Sequence, residues 1–121
     1  MAERSLVLKV TAGKEDPERC NQALTVAAAA AVSGVRVSLW LTGEASWFAL
    51  PEGCPDLALP HATPLPDLFA QVLAAGTVTL CTQCAARREI SEADVVAGVR
   101  IAGATTFVAE ILSDGAQALV Y

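Results

Sequence analysis

Cys81-Thr82-Gln83-Cys84 is the run in this chain whose residue types and spacing best suit covalent chemistry. The thiolate, not the thiol, is the nucleophile and the metal ligand, so reactivity here depends on whatever lowers the thiol pKa. The residues before the run, 77–81, are β-rich, which predicts that Cys81 sits where an interior strand gives way to a loop or helix. Ligands and reactive groups in open α/β sheets collect at the carboxyl ends of strands. A sulfur in that position can approach the amide N–H groups of the next turn. Negative charge at a helix N-terminus is favoured by about 0.3–1 kcal/mol, which is roughly 0.2–0.7 of a pKa unit toward the thiolate. Arg87 and Arg88 follow closely and could add to that shift. The plainer reading is that Cys81 is a small apolar residue filling the core; the motif alone does not choose between them.

Cys84 opens further readings. A C-x-x-C pair can cycle between dithiol and disulfide, or supply part of a four-ligand zinc site. Zinc would have to recruit Cys20, Cys54 or His61, and these form no second C-x-x-C, so no resident metal is expected. Cys20 falls within a helix and reads as core. Cys54 lies in a proline-rich connection without an activating partner, and a lone loop histidine such as His61 is more often solvated than functional. Trp40, Trp47 and Phe48 read as core or subunit contacts. The carboxylates form no compelling pair, and Gly13-Lys14 lacks the Walker pattern, so no cofactor is expected.

The elements that must position the thiols alternate along the chain. Residues 5–11 read as a first strand, and 17–32 as a helix with Asp16 as N-cap, Pro17 in its first turn and Gly34 closing it. Residues 35–41 read as a second, buried strand, giving a β-α-β unit and a parallel sheet. A short helix over 45–50 leads into an irregular connection, 51–66, that holds five prolines. A helix over 66–75 and the strand over 77–81 follow. Ser91-Glu92-Ala93-Asp94 has the form of a capping box and predicts a helix running to 102. A further helix over 105–113 and a final strand over 116–121 complete a three-layer α/β sandwich, read as one domain over 1–121.

Composition narrows the function classes. The 121 residues are 54% apolar and only 17% charged, against about 25% charged in an average domain. So little polar surface predicts an oligomer that hides an apolar face. The net charge of −5 argues against nonspecific nucleic-acid binding. The longest apolar run, 26–32, is far short of the roughly 20 residues that span a bilayer. The opening Met1-Ala2-Glu3-Arg4 has no signal-peptide pattern, so a cytoplasmic location is expected, with cysteines free or reactive rather than paired.

The segments Leu6-Val7-Leu8-Lys9-Val10, Leu39-Trp40-Leu41-Thr42-Gly43-Glu44, Thr79-Leu80-Cys81 with Ala85-Ala86-Arg87-Arg88, and Phe107-Val108-Ala109-Glu110-Ile111-Leu112 resemble the DsrE/DsrF-like family over nearly the whole chain. The resemblance implies a Rossmann-like or flavodoxin-like sandwich with about five mainly parallel strands, assembled as trimers or hexamers. It also implies carriage of sulfur as a cysteine persulfide, with donor and acceptor proteins as partners and no nucleic acid or membrane. The relay cysteine matches Cys81, and Arg87 and Arg88 keep the family's spacing from it. Cys84 departs from the pattern, since carriage needs only one thiol, and Glu89 replaces a residue that is often small. The leading expectation is a sulfur-relay carrier using Cys81, with Arg87 or Arg88 stabilising its charge. A Cys81/Cys84 dithiol oxidoreductase and a noncatalytic oligomeric scaffold are the alternatives.

Overall fold

Period-two alternation in the apolar strands divides the core between two faces of one sheet. In the computed structural model, which describes residues 3–121, strand β1 is Ser5–Val10, β2 is Arg36–Leu41 and β3 is Thr77–Cys81. Leu8 and Val10, Leu39 and Leu41, and Val78 and Leu80 all enter the main core cluster. Trp40 and Thr79, which lie between these pairs on β2 and β3, and Val7, which precedes Leu8 on β1, are equally buried but face the other side. Two further strands, β4 (Val99–Ala102) and β5 (Ala116–Val120), complete a five-stranded sheet of order β4-β3-β2-β1-β5. Every pairing is parallel.

Helix α1 (Pro17–Val32) begins as expected, with Pro17 in the first turn and the Asp16 carboxylate accepting the Arg19 amide. Its buried stripe is Cys20, Ala23, Leu24, Ala27, Ala28 and Ala31, and the alanines bring the helix close to the sheet. Gly34, in the left-handed region at φ +85°, closes it. Helix α2 (Leu65–Ala75) packs beside α1, and Leu65, Leu68, Phe69 and Val72 join the same core. The chain then reaches β4 at one edge and must return to β5 at the other. Helix α4 (Ala104–Ile111) makes that crossing over the opposite face, where Phe107 meets Trp40 edge-on with ring centroids 5.3 Å apart. Helices thus cover both faces of a parallel sheet, the α/β architecture read from the alternating elements.

The helix expected over 91–102 does not form. The Ser91 amide and hydroxyl both donate to Asp94, at 2.8 and 2.9 Å, so part of the capping pattern is made. The contact closes only a turn, because Val96 donates its amide to the Ala49 carbonyl at 2.8 Å and Gly98 enters the left-handed region at φ +95°. The β-branched Val99 and Ile101 then pair with the free edge of β3, opposite Val78 and Leu80, and bring Ala102 opposite Cys81. This extra strand makes β3 an interior strand. The short helix expected over 45–50 forms as a 3-10 helix, Gly43–Ala49. No helix among the described residues is long and apolar enough to cross a membrane.

Candidate functional site

Strand β3 ends at Cys81, whose extended backbone (φ −62°, ψ 129°) caps the short helix α3 (Thr82–Arg87). Alternation along β3 puts Cys81 on the face shared by Thr79 and Trp40, beside the α4 layer. The thiol is half-buried. Burial, the largest influence, pushes its pKa up. The amides of Cys84 and Gln83, the Cys84 thiol and the charge of Lys9 together outweigh it and hold Cys81 below the ordinary thiol value. Neither amide closes a capping hydrogen bond of ordinary geometry to the sulfur. They act as oriented partial charges facing it.

Cys84 lies one turn along α3 and is buried against the loop that follows β2. Its sulfur accepts the Gly43 backbone N–H at 3.4 Å. Gly43 can approach this closely because it has φ +53° and no side chain; a Cβ there would run into the Thr11 carbonyl oxygen. Arg88 secures the same loop from the other side. Its guanidinium pairs with Glu44 at 2.8 Å, donates to the Cys84 carbonyl at 3.2 Å and lies 5.9 Å from the Trp47 ring centroid. The Arg88 hydrogen bonds in turn hold the Glu44 carboxyl below its usual range. Arg87 is exposed and reaches only Gln83, at 3.5 Å. The fold therefore brings Cys81 and Cys84 together with Arg88 behind Cys84. Lys9 is a cation that helps to hold the Cys81 pKa down, while Arg88 pairs with Glu44 and Arg87 reaches only Gln83.

The other two thiols face different surroundings. Cys20 on α1 and Cys54 in the proline-rich connection pack in or against the main core. Burial pushes each up to about 12, and Cys54 adds to the rise at Cys20. Both stay protonated at neutral pH and make poor nucleophiles. His61 is exposed in the connection, in the left-handed region at φ +63°. Among the described residues no group of His, Cys, Asp and Glu is arranged to hold a metal ion.

Two features beside Cys81 escaped the sequence reading. Lys9, Trp40, Thr79 and Arg100 stand in register across β1, β2, β3 and β4, on the face that α4 covers. Glu110 of α4 closes over this row, accepting from Trp40 Nε1 at 3.1 Å, from the Ser38 hydroxyl and from Arg100. Arg100 Nε also donates to Thr79 Oγ1 at 2.6 Å. Burial raises the Glu110 pKa, but the hydrogen bonds from Ser38, Trp40 and Arg100 bring it below the ordinary carboxylate value. The available signal was polar atoms at strand positions whose parity demands burial.

Comparison with known proteins bears on the whole assembly of elements. Residues 4–121 match the model of the DsrE/DsrF-like family. The chain belongs to the DsrE/DsrF-like family. Among solved structures, this DsrE/DsrF-like chain is similar to the YchN protein of E. coli, with a TM-score of 0.79 and 21% identity over 98% of this chain and 99% of that one. It is also similar to MTH1491, a protein of unknown function from Methanobacterium thermoautotrophicum, with a TM-score of 0.73 and 8% identity over 98% of this chain and 100% of that one. No curated protein matches it. At these identities the structural likeness is one of fold. Membership of the DsrE/DsrF-like family relates the chain to sulfur relay.

Proposed function

We propose that this protein carries sulfane sulfur as a persulfide on Cys81 and passes it to a partner protein. The observation that carries this reading is the contrast among the thiols. Cys81 is accessible and its pKa is lowered, whereas burial raises Cys20 and Cys54 to about 12. In the loading step the Cys81 thiolate attacks the outer sulfur of a donor persulfide, R–S–SH. The Cys81 S–S bond forms, the donor S–S bond breaks, and R–S⁻ leaves with the electron pair. The product, Cys81–S–SH, is discharged when an acceptor thiolate attacks the outer sulfur and the Cys81 thiolate departs. Covalent carriage of this kind divides one transfer between two partners into two steps at a single nucleophile.

A second reading is supported by the Cys84 thiol, which lies one turn along α3 from Cys81 and helps to hold the Cys81 pKa down. Attack by a Cys84 thiolate on the inner sulfur of Cys81–S–SH would form a Cys81–Cys84 disulfide and release HS⁻, giving dithiol chemistry in place of carriage. A pulse of persulfide donor, followed after desalting by an excess of acceptor thiol, separates the two. Carriage returns the sulfur on the acceptor and leaves Cys81 and Cys84 reduced. Dithiol chemistry releases hydrosulfide before the acceptor is added, and the chain loses two hydrogens.

The reading includes a homo-oligomer, a trimer or hexamer, and a reducing, cytoplasmic compartment in which a persulfide carrier keeps its thiols. Helix α4 has no buried residue, and Val108, Leu112, Leu119 and Val120 leave an apolar strip open on α4 and the β5 edge. A second copy packed there would remove that strip from water. Light scattering at micromolar concentration should show more than one subunit; a 12.5 kDa species alone would contradict the assembly.

A further inference from the structure

Lys9 occupies a strand position where its side chain is partly buried, and it makes no ion pair among the described residues. Its ammonium instead lies 4.0 Å from the centroid of the Phe107 ring. A cation over an aromatic face is attracted by the ring quadrupole, more strongly where water is partly excluded. Phe107 is itself fixed, edge-on at 81° to Trp40, so the ammonium has a rigid platform. Nearby charges do not need it: Arg100 and Glu110 on this face neutralise each other, and Arg88, behind Cys84, is paired with Glu44. A half-buried cation with a built platform and no anion points to a negative charge supplied by the site.

The register says where that charge is. Lys9 is in line with Trp40 and Thr79, and Cys81 follows Thr79 by two residues on the same face. Strands β1 and β3 are two strand spacings apart, roughly 9–10 Å, so Lys9 acts on the sulfur through space from beyond β2. We propose that Lys9 is the counter-charge of the sulfur anion on Cys81 and that Phe107 is the residue that positions it. The part concerning the thiolate stands alone. The part concerning a bound persulfide rests on the carrier reading, with the negative charge on a sulfur one bond, about 2.05 Å, farther from the backbone. The ionisable groups that act on that sulfur are Lys9 from β1 and Cys84 from α3; on the same sheet face Arg100 of β4 and Glu110 of α4 neutralise each other.

The test is the pH profile of Cys81 alkylation, read peptide by peptide by mass spectrometry, in the wild type, Lys9→Gln, Lys9→Arg and Phe107→Leu. Lys9→Gln should move the profile to higher pH and slow labelling at neutral pH by about two- to fivefold. Lys9→Arg should restore the wild-type profile, a rescue that a purely structural role for the lysine stem would not predict. Phe107→Leu should shift the profile in the same direction by less. A Lys9→Gln profile that superimposes on the wild type would overturn the proposal. If Lys9→Gln fails to fold, an unshifted Phe107→Leu profile overturns the positioning role in its place. Persulfide loading of the wild type is scored separately, so failure of the carrier reading leaves the alkylation result intact.

Discussion

The sulfur of Cys84 is held by the backbone N–H of Gly43, 41 residues away and 3.4 Å distant. This contact ties the loop after β2 to the first turn after β3 and keeps Cys84 buried, while Cys81 is only half-buried. The two thiols of one C-x-x-C run are thereby made unequal. One is accessible with a lowered pKa, and the other is locked behind a loop.

Gly43→Ala should break that inequality. The new Cβ meets the Thr11 carbonyl, and alanine resists φ +53°. Forcing a side chain into the left-handed region costs about 1–2 kcal/mol, which denaturant titration will read. With the loop displaced, Cys84 should be alkylated faster relative to Cys81 than in the wild type. An unchanged labelling ratio in the folded variant would show that the Gly43 contact does not protect Cys84.

Arg88→Ala should act on the same loop rather than on Cys81. Removing the guanidinium frees Glu44 and the Cys84 carbonyl, so Cys84 labelling should rise and the Cys81 pH profile should stay close to wild type. Arg87, bound only to Gln83, should matter less than Arg88 in the same assay. A strong upward shift of the Cys81 profile in either variant would return the arginines to the role that their spacing suggested.

The parts of the fold legible in the sequence are those set by local chemistry. Asp16-Pro17 starts α1 and Gly34 ends it because capping and left-handed turns depend on a few adjacent residues. Cys81 was placed at a strand end because Thr77–Cys81 is β-rich and a helix could follow. Strand β4 was not legible: Ser91 and Asp94 make the contact that a helix start would make, and only the vacant edge of β3 turns the next residues into a strand. Lys9 and Glu110 were missed for a related reason. Their partners come from strands and a helix far away in sequence, and the register that unites them exists only after the chain has crossed the sheet through α4.

Glu110 makes stability depend on acid. Its folded pKa is depressed, so its contribution is present above the unfolded value of about 4.3 and is lost as pH falls through the lower, folded value. Glu110→Ala should cost about 1–3 kcal/mol at neutral pH, because it strands the Trp40 indole N–H and the Ser38 hydroxyl. The stability difference between wild type and variant should shrink steadily as the pH is lowered below that range. A difference that holds constant into strong acid would mean that packing, not the ionised carboxylate, accounts for the loss.

The central claim is that Cys81 carries the sulfur, and intact and peptide mass after a persulfide donor and desalting test it most directly. Wild type should gain one sulfur atom, on the peptide that contains Cys81. Cys84→Ser should load and hold the sulfur longer, since its neighbour can no longer discharge it, and Cys81→Ser should not load. Sulfur found on Cys84, Cys20 or Cys54, loading that persists in Cys81→Ser, or no gain in the wild type would contradict the account.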